Sequence, residues 1–449
     1  MTTALIILAA GKGTRMMSDL PKVLHPIGGA PMLAHALRAG AALDPERVIV
    51  VAGHGADAVT RAAQGFDDRA EVVLQEEQLG TGHAVAQATV ALVGFSGDVV
   101  VLYGDTPFVQ PETLTRMAEA RAAHDVVVLG FEAADPGRYG RLIMAGEALD
   151  RIVEFKDATD EERTVTFCNS GIMMASAAHM MGLVARLGND NAAGEYYLTD
   201  IIALARADGL SATAIACDEA ETLGINSRAE LAAAEAAFQA RARAEALENG
   251  VTLPAPETVH FALDTVLGRD SMVEQNVVFG LGVTVETGAR IRAFTHIEDA
   301  HIARDAVVGP FARIRGGAEI AENVKIGNFV ELKNAQLDEG VKVSHLSYVG
   351  DAHLGEDTNV GAGTITCNYD GVMKHRTTVG KRAFIGSNTM LVAPVTVGDD
   401  AMTASGSVIT KDVEAGALAI ARGEQVTKPG LAVKMMNMLK LKKKKQEQG

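Results

Sequence analysis

The chain has 449 residues, and at about 150 residues per domain that implies two or three domains. Lys and Arg number 41 against 57 Asp and Glu, a net charge of −16 that runs against a general binder of nucleic acid or anionic membrane. The apolar runs fall short of the roughly 18 residues of a membrane span; no secretory signal is visible, and Cys168, Cys217 and Cys367 form no C-x-x-C, so a cytoplasmic protein without a disulfide framework is expected.

The first half alternates short aliphatic runs with Ala-rich stretches. Ala4–Ala9, Arg47–Ala52, Glu71–Leu74, Val99–Tyr103 and Val126–Phe131 read as buried parallel strands. Met32–Ala42 and Pro111–His124 carry helical spacing between them. This rhythm predicts an α/β domain with a doubly wound, Rossmann-like sheet, whose ligands sit beyond the C-terminal strand ends.

Ser227 to Glu248 contains no Gly or Pro. Ser227-Arg228-Ala229-Glu230 is a capping box and Asn249-Gly250 a stop signal, which predicts one long helix. The composition changes after it, so the expected organisation is a nucleotide-site domain over 1–226, a linker helix over 227–250 and a second domain over 251–449.

From Val273 onward an aliphatic or Phe residue recurs every six positions: Val273, Phe279, Val285, Ile291, Ile297, then Ile302, Val308, Ile314, Ile320, Ile326 and Leu332. Leu337, Val343 and Val349 follow, then Leu354 and Val360, and the series resumes at Val379, Ile385, Leu391 and Val397. A period of six fits neither a helix nor a hairpin. It is the hexapeptide repeat of an all-β, left-handed parallel β-helix, three short strands to each triangular turn. The interruption at Thr366-Cys367-Asn368-Tyr369-Asp370-Gly371 predicts a projecting loop, and the Lys-rich end at Lys440–Lys445 a solvated tail.

The first predicted strand runs into Leu8-Ala9-Ala10-Gly11-Lys12-Gly13-Thr14-Arg15-Met16, with Pro21-Lys22 after it. Glycines directly after a strand let backbone N–H groups approach a phosphate, and Arg15 and Lys22 add charge. Met16 removes the third glycine of a dinucleotide fingerprint, and there is no P-loop Lys. The string G-x-G-T-R-M with P-K instead resembles the signature of sugar-phosphate nucleotidyltransferases. Gln75-Glu76-Glu77-Gln78-Leu79-Gly80-Thr81-Gly82 resembles that family's base-recognition segment, and Tyr103-Gly104-Asp105 ends a predicted strand at the ligand edge. In the second half, Val343-Ser344-His345-Leu346-Ser347-Tyr348-Val349-Gly350 lies in a run similar to an acetyltransferase domain. Imidazole suits removal of a proton from an ammonium nucleophile.

Over nearly its whole length the chain thus resembles the bacterial bifunctional N-acetylglucosamine-1-phosphate uridyltransferase and glucosamine-1-phosphate N-acetyltransferase family. The resemblance implies acetylation of glucosamine 1-phosphate by acetyl-CoA with His345 as base. It then implies Mg²⁺-dependent uridylyl transfer from UTP to N-acetylglucosamine 1-phosphate, supplying a precursor of peptidoglycan and lipopolysaccharide. It implies metal ligation by Asp105 and Asn226, and phosphate contacts from Arg15 and Lys22. UDP-sugar contacts are implied at Leu8, Ala9, Ala10, Gly11, Lys22, Gln75, Gly80, Thr81, Tyr103, Gly104, Asp105, Gly140, Glu154, Asn169 and Asn226. Amino-sugar phosphate contacts fall on Arg315, Lys333, Tyr348 and Asn359, with Arg315 the bidentate partner. Acetyl-CoA contacts fall on Ala362, Asn368, Tyr369, Ser387, Ser405 and Arg422. A homotrimer built on the β-helix is implied as well. Gly316 and Ser405 depart from the family's usual Pro and Ala. A single-activity nucleotidyltransferase with a purely trimerising β-helix is the alternative.

Overall fold

The computed structural model describes residues 2–446. The chain divides into two compact units, the first being Met1–Glu248 with His260–Thr265 and Phe279–Leu281, the second the remainder.

The first unit is built on β1 (Thr3–Ala9), β2 (Arg47–Ala52), β3 (Ala70–Leu74), β4 (Asp98–Tyr103), β5 (Val126–Glu132), β6 (Arg141–Ala145), β7 (Ala148–Val153), β8 (Phe167–Ser176) and β9 (Ala212–Cys217). The order is β9-β5-β8-β4-β1-β2-β3, with β6 and β7 joining as a hairpin beside β8. Side chains alternate across the sheet: Ala4, Ile6 and Leu8 enter one core, Leu5, Ile7 and Ala9 the other. Helices Ala177–Val184 and Ile201–Ala207 cover the first face, Met32–Gly40 and Pro111–Arg121 the second. Burial on both faces is why β1 is aliphatic along its whole length. The sheet departs from an all-parallel arrangement at β8, which runs antiparallel between β4 and β5.

The capping box forms: Asn226 and Ser227 N–H groups donate to Glu230 Oε2 at 2.6 and 3.1 Å, and Glu230 N–H donates to Ser227 Oγ at 3.3 Å. It starts the helix Arg228–Glu248. That helix is bonded into the first unit. Arg228 Nε donates to Met16 O at 3.1 Å, Gly28 N–H donates to Glu235 at 2.8 Å, and Gln239 exchanges two 2.8 Å bonds with the Phe261 backbone.

The second unit is the left-handed β-helix, and the six-residue period becomes three columns of inward side chains. Parallel register stacks Val273, Ile291, Val308, Ile326, Val343, Val360 and Ile385 in one column. Val285, Ile302, Ile320, Leu337, Leu354, Val379 and Val397 form a second. Ile297, Ile314, Leu332 and Val349 form the third. All are buried, and each is worth about 1.5–3 kcal/mol of burial. The third column continues through Thr366 and Leu391 rather than breaking. Thr366 is tolerated inside because its hydroxyl donates to Gly350 O at 3.0 Å and accepts from Gly350 N–H at 2.8 Å. The interruption is a hairpin closed by a Tyr369–Lys374 bridge. Lys440–Lys445, expected as a solvated tail, are exposed as expected and form the last turns of the helix Leu431–Gln446.

Candidate functional sites

In the first unit the register Leu8↔Tyr103, Ala9↔Ala52 and Ala52↔Leu74 brings the C-terminal strand ends to one edge. Gly11, Gln75, Gly104 and Asp105 all follow those ends. Gly13 adopts φ +61, and a Cβ there would stand 2.6 Å from Lys22 Cβ, so the second glycine lets Lys22 pass close beneath the turn. A Cβ on Gly11 would meet nothing, leaving that backbone open to a ligand. Gly104 N–H donates to Leu8 O at 3.0 Å, and Gln75 Nε2 donates to Gly80 O at 3.1 Å. Gln78, which the sequence did not single out, donates to Ala10 O at 2.6 Å and ties the base segment to the glycine turn.

Lys22 lies between the two expected metal ligands. Its ammonium is ion-paired to Asp105 and 3.0 Å from Asn226 Oδ1. Arg15, exposed on the turn Thr14–Met16, takes part in none of these bonds.

Tyr103 is half-buried, and loss of solvent followed by the Asp105 and Glu154 carboxylates pushes its phenol above the usual range, against a hydrogen bond from Thr81. Glu154 is likewise raised, by burial first; its bond from Thr199 at 3.2 Å opposes this, and Asp200 and Asp157 add to it. A Cβ on Gly140 would lie 3.4 Å from Glu154 Oε1 and 3.6 Å from Asn169 Cβ, so these three share one wall. Asn169 N–H donates to Gly140 O at 2.9 Å.

In the second unit, register places His345, Ala362, Ser387 and Ser405 at the same corner of successive coils. The left-handed residue after each confirms the stacking: Gly363 N–H donates to His345 O, Asn388 N–H to Ala362 O and Gly406 N–H to Ser387 O. Arg422 closes the column by donating to Ser405 O at 2.7 Å. Asn328, one coil earlier and paired with His345, accepts from Nδ1 at 2.8 Å. That bond leaves the imidazole lone pair on Nε2, on a side chain that is exposed. Asn328 was legible only through the coil register.

Arg315 and Lys333 are neighbours on one face, with Tyr348 beside them. Arg315 is paired with Glu331 at 2.7 Å. Asn359 does not join them: it pairs with Lys342 and Phe384 on another face. Asn368 Nδ2 is 3.4 Å from the Tyr348 hydroxyl, and Tyr369 is exposed at the hairpin with the Lys374 ammonium 4.3 Å from its ring centre. Gly316 has φ +68, a value a proline ring forbids.

The MobA-like NTP transferase domain family matches residues 5–170, and the bacterial transferase hexapeptide family matches residues 299–334 and 376–411. The chain is 69% identical over 449 residues to the bifunctional protein GlmU of Ruegeria sp. (strain TM1040), covering 100% of both chains. It is 65% identical over 449 residues to that of Roseobacter denitrificans, again covering 100% of both. It is 62% identical over 440 residues to that of Paracoccus denitrificans, covering 98% of each. Likeness on this scale, end to end and across both units, shows that the chain belongs to the family of the bifunctional protein GlmU and is a two-activity transferase.

Proposed function

We propose that the chain makes UDP-N-acetylglucosamine in two steps, one in each unit. The full-length likeness to bifunctional relatives carries this reading, since it spans both sets of site residues. In the second unit the amine of glucosamine 1-phosphate attacks the thioester carbonyl of acetyl-CoA. The C–N bond forms, the C–S bond breaks, and His345 Nε2 takes the ammonium proton. Arg315, Lys333 and Tyr348 hold the sugar phosphate, while Asn359 would reach such a site only from another copy. Ala362, Ser387, Ser405 and Arg422 line a track for acetyl-CoA along the corner, and Asn368 and Tyr369 meet acetyl-CoA from the next corner, beside Tyr348.

In the first unit a phosphate oxygen of N-acetylglucosamine 1-phosphate attacks the α-phosphorus of UTP in line, and pyrophosphate leaves. The open backbone at Gly11, with Lys22 and Arg15, meets the phosphates. Gln75, Gly80 and Thr81 read the base, and Tyr103, Gly140, Glu154 and Asn169 meet the sugar. Asp105 and Asn226 turn their oxygens toward one point where a cation, the Lys22 ammonium, is already held. That donor set would suit Mg²⁺, a hard cation that takes few protein oxygens. When bound, the ion would neutralise charge developing on the phosphates.

A homotrimer is supported by an apolar ladder leading to His345. Phe294, Phe311, Phe329 and Leu346 occupy one corner of successive coils at φ of 59, 56, 57 and 51, all exposed, with ring centres 4.9 and 5.3 Å apart. Left-handed backbone costs a bulky residue roughly 1–2 kcal/mol, and an aromatic ladder kept exposed at that cost suits packing against a second copy. No helix among the described residues is long and apolar enough to cross a membrane. The three cysteines are free thiols, in keeping with a cytoplasmic enzyme.

The test is an assay of purified chain with substrates omitted in turn. Free thiol should appear with glucosamine 1-phosphate and acetyl-CoA alone. Pyrophosphate should then require UTP and a divalent cation. Pyrophosphate without any thiol release would leave the β-helix as a trimerising stalk.

A further inference from the structure

One buried carboxylate in the β-helix has no part in the reactions above. Asp351 stands one residue beyond the Lys333–Gly350 pairing, at a corner where register stacks Asn334, Asp351 and Asn368 in consecutive coils. It is 9% exposed and left-handed, at φ 48. Asn334 Nδ2 donates to its Oδ1 at 2.7 Å, and Asn368 Nδ2 donates to Oδ2. Lys333 Nζ lies 3.3 Å from Oδ2 and 3.5 Å from Oδ1. Burial raises the carboxyl's pKa, and bonds from Asn334, Asn368 and Lys333 more than offset that, holding it below the usual range. One charged group therefore fixes two side chains belonging to different parts of the proposed acetyl-transfer site.

We propose that Asp351 is a positioning residue for acetyl transfer, orienting the Asn368 amide and the Lys333 ammonium from within the wall of the prism. This rests on the reading of that site given above. An amide can present either end to a ligand, and a carboxylate behind it settles the choice. With Nδ2 turned to Asp351 and the Tyr348 hydroxyl, Asn368 Oδ1 is left to accept an N–H from a ligand such as the amide arm of acetyl-CoA. The Lys333 contacts are long for a charged pair. They tether the ammonium while leaving protons for a sugar phosphate.

The test is a set of double-mutant cycles on the full chain, following thiol release at varied concentrations of each substrate. Asp351→Asn keeps the volume and removes the charge. Loss of alignment of this kind costs up to about 10²-fold, so kcat/KM for acetyl transfer should fall about 10- to 100-fold, mainly through KM for both substrates, with uridylyl transfer unchanged. Combined with Asn368→Ala or with Lys333→Ala, Asp351→Asn should cost less than it does in the parent, because part of its effect runs through each of those groups. Asn334→Ala keeps the charge and removes one neutral anchor; it should raise the same KM values by about 3- to 10-fold, and it serves as the readout if Asp351→Asn unfolds. Full additivity in both cycles, or unchanged KM values in folded Asp351→Asn or in Asn334→Ala, overturns the proposal. If Asn368→Ala and Lys333→Ala themselves leave acetyl transfer intact, the reading of the site fails instead.

Discussion

Replacing Asp105 by Asn tests the division of labour most directly. The side chain keeps its shape and loses one negative charge where Lys22 and Asn226 converge on it. Asp105 is 19% exposed and Lys22 12% exposed, so neither is fully solvated. At an effective dielectric near 20, one pair of unit charges about 4 Å apart interacts by about 4 kcal/mol. Carried into the transition state, about 4 kcal/mol is about 10³-fold in rate. Uridylyl transfer, followed by pyrophosphate release, should fall by that order, and its midpoint in divalent cation should move to higher concentration. Asn226→Ala removes a neutral acceptor instead, worth about 1.5 kcal/mol or about 10-fold. Acetyl transfer, followed by thiol release, should stay within twofold of the parent. Uridylyl transfer that falls less than tenfold in Asp105→Asn would refute the charge argument. Loss of both activities with an unchanged thermal transition would refute the assignment of separate sites.

His345→Ala should slow acetyl transfer about 10²- to 10⁴-fold and leave uridylyl transfer from pre-acetylated substrate intact; a near-normal rate of thiol release would make His345 structural. Asn328→Ala should produce a smaller loss of the same kind, because the imidazole keeps its Nε2 lone pair but loses its brace. Glu154 has a carboxyl raised by burial, so it favours folding when neutral. Its contribution is full below the ordinary carboxylate pKa and is lost as pH rises through the raised folded value. Glu154→Gln should therefore melt higher than the parent near neutral pH, with the difference shrinking as pH falls, while weakening UDP-sugar binding about 10- to 100-fold; a difference that grows on acidification would reverse the sign of the argument.

The six-residue period was legible because each coil must place an aliphatic residue inward at fixed register, and a miss there costs a cavity. It faltered where a threonine hid its hydroxyl on the backbone, as Thr366 does. The strand ends carrying Gly11, Gln75 and Asp105 were legible from run length and the glycines after them. The antiparallel direction of β8 was not, since an aliphatic run has no polarity. Asp351 was invisible because nothing in the sequence distinguishes one aspartate after a glycine from many others; only stacking puts it beside Lys333 and Asn368. The Leu431–Gln446 helix was obscured by its lysines, although Leu431, Met435, Met438 and Leu439 repeat at helical spacing. The helix Arg228–Glu248 announced its start and length, yet not its partners, because an Ala-rich sequence shows little contrast between faces. Its attachment decides where the chain can be divided. Phe238 is 5% exposed and fills the space over Gly28, where a Cβ would come within 2.3 Å of its ring. Losing such a phenylalanine costs about 3–5 kcal/mol, and the Gln239, Glu235 and Arg228 bonds go with it. Domains hold only about 5–15 kcal/mol in all. A piece ending at Asn226 should therefore be largely unfolded by circular dichroism and inactive. A piece ending at Thr265 keeps the helix and its Phe261 partner, and should fold and release pyrophosphate from UTP and N-acetylglucosamine 1-phosphate. A folded, fully active piece ending at Asn226 would show that the helix only connects.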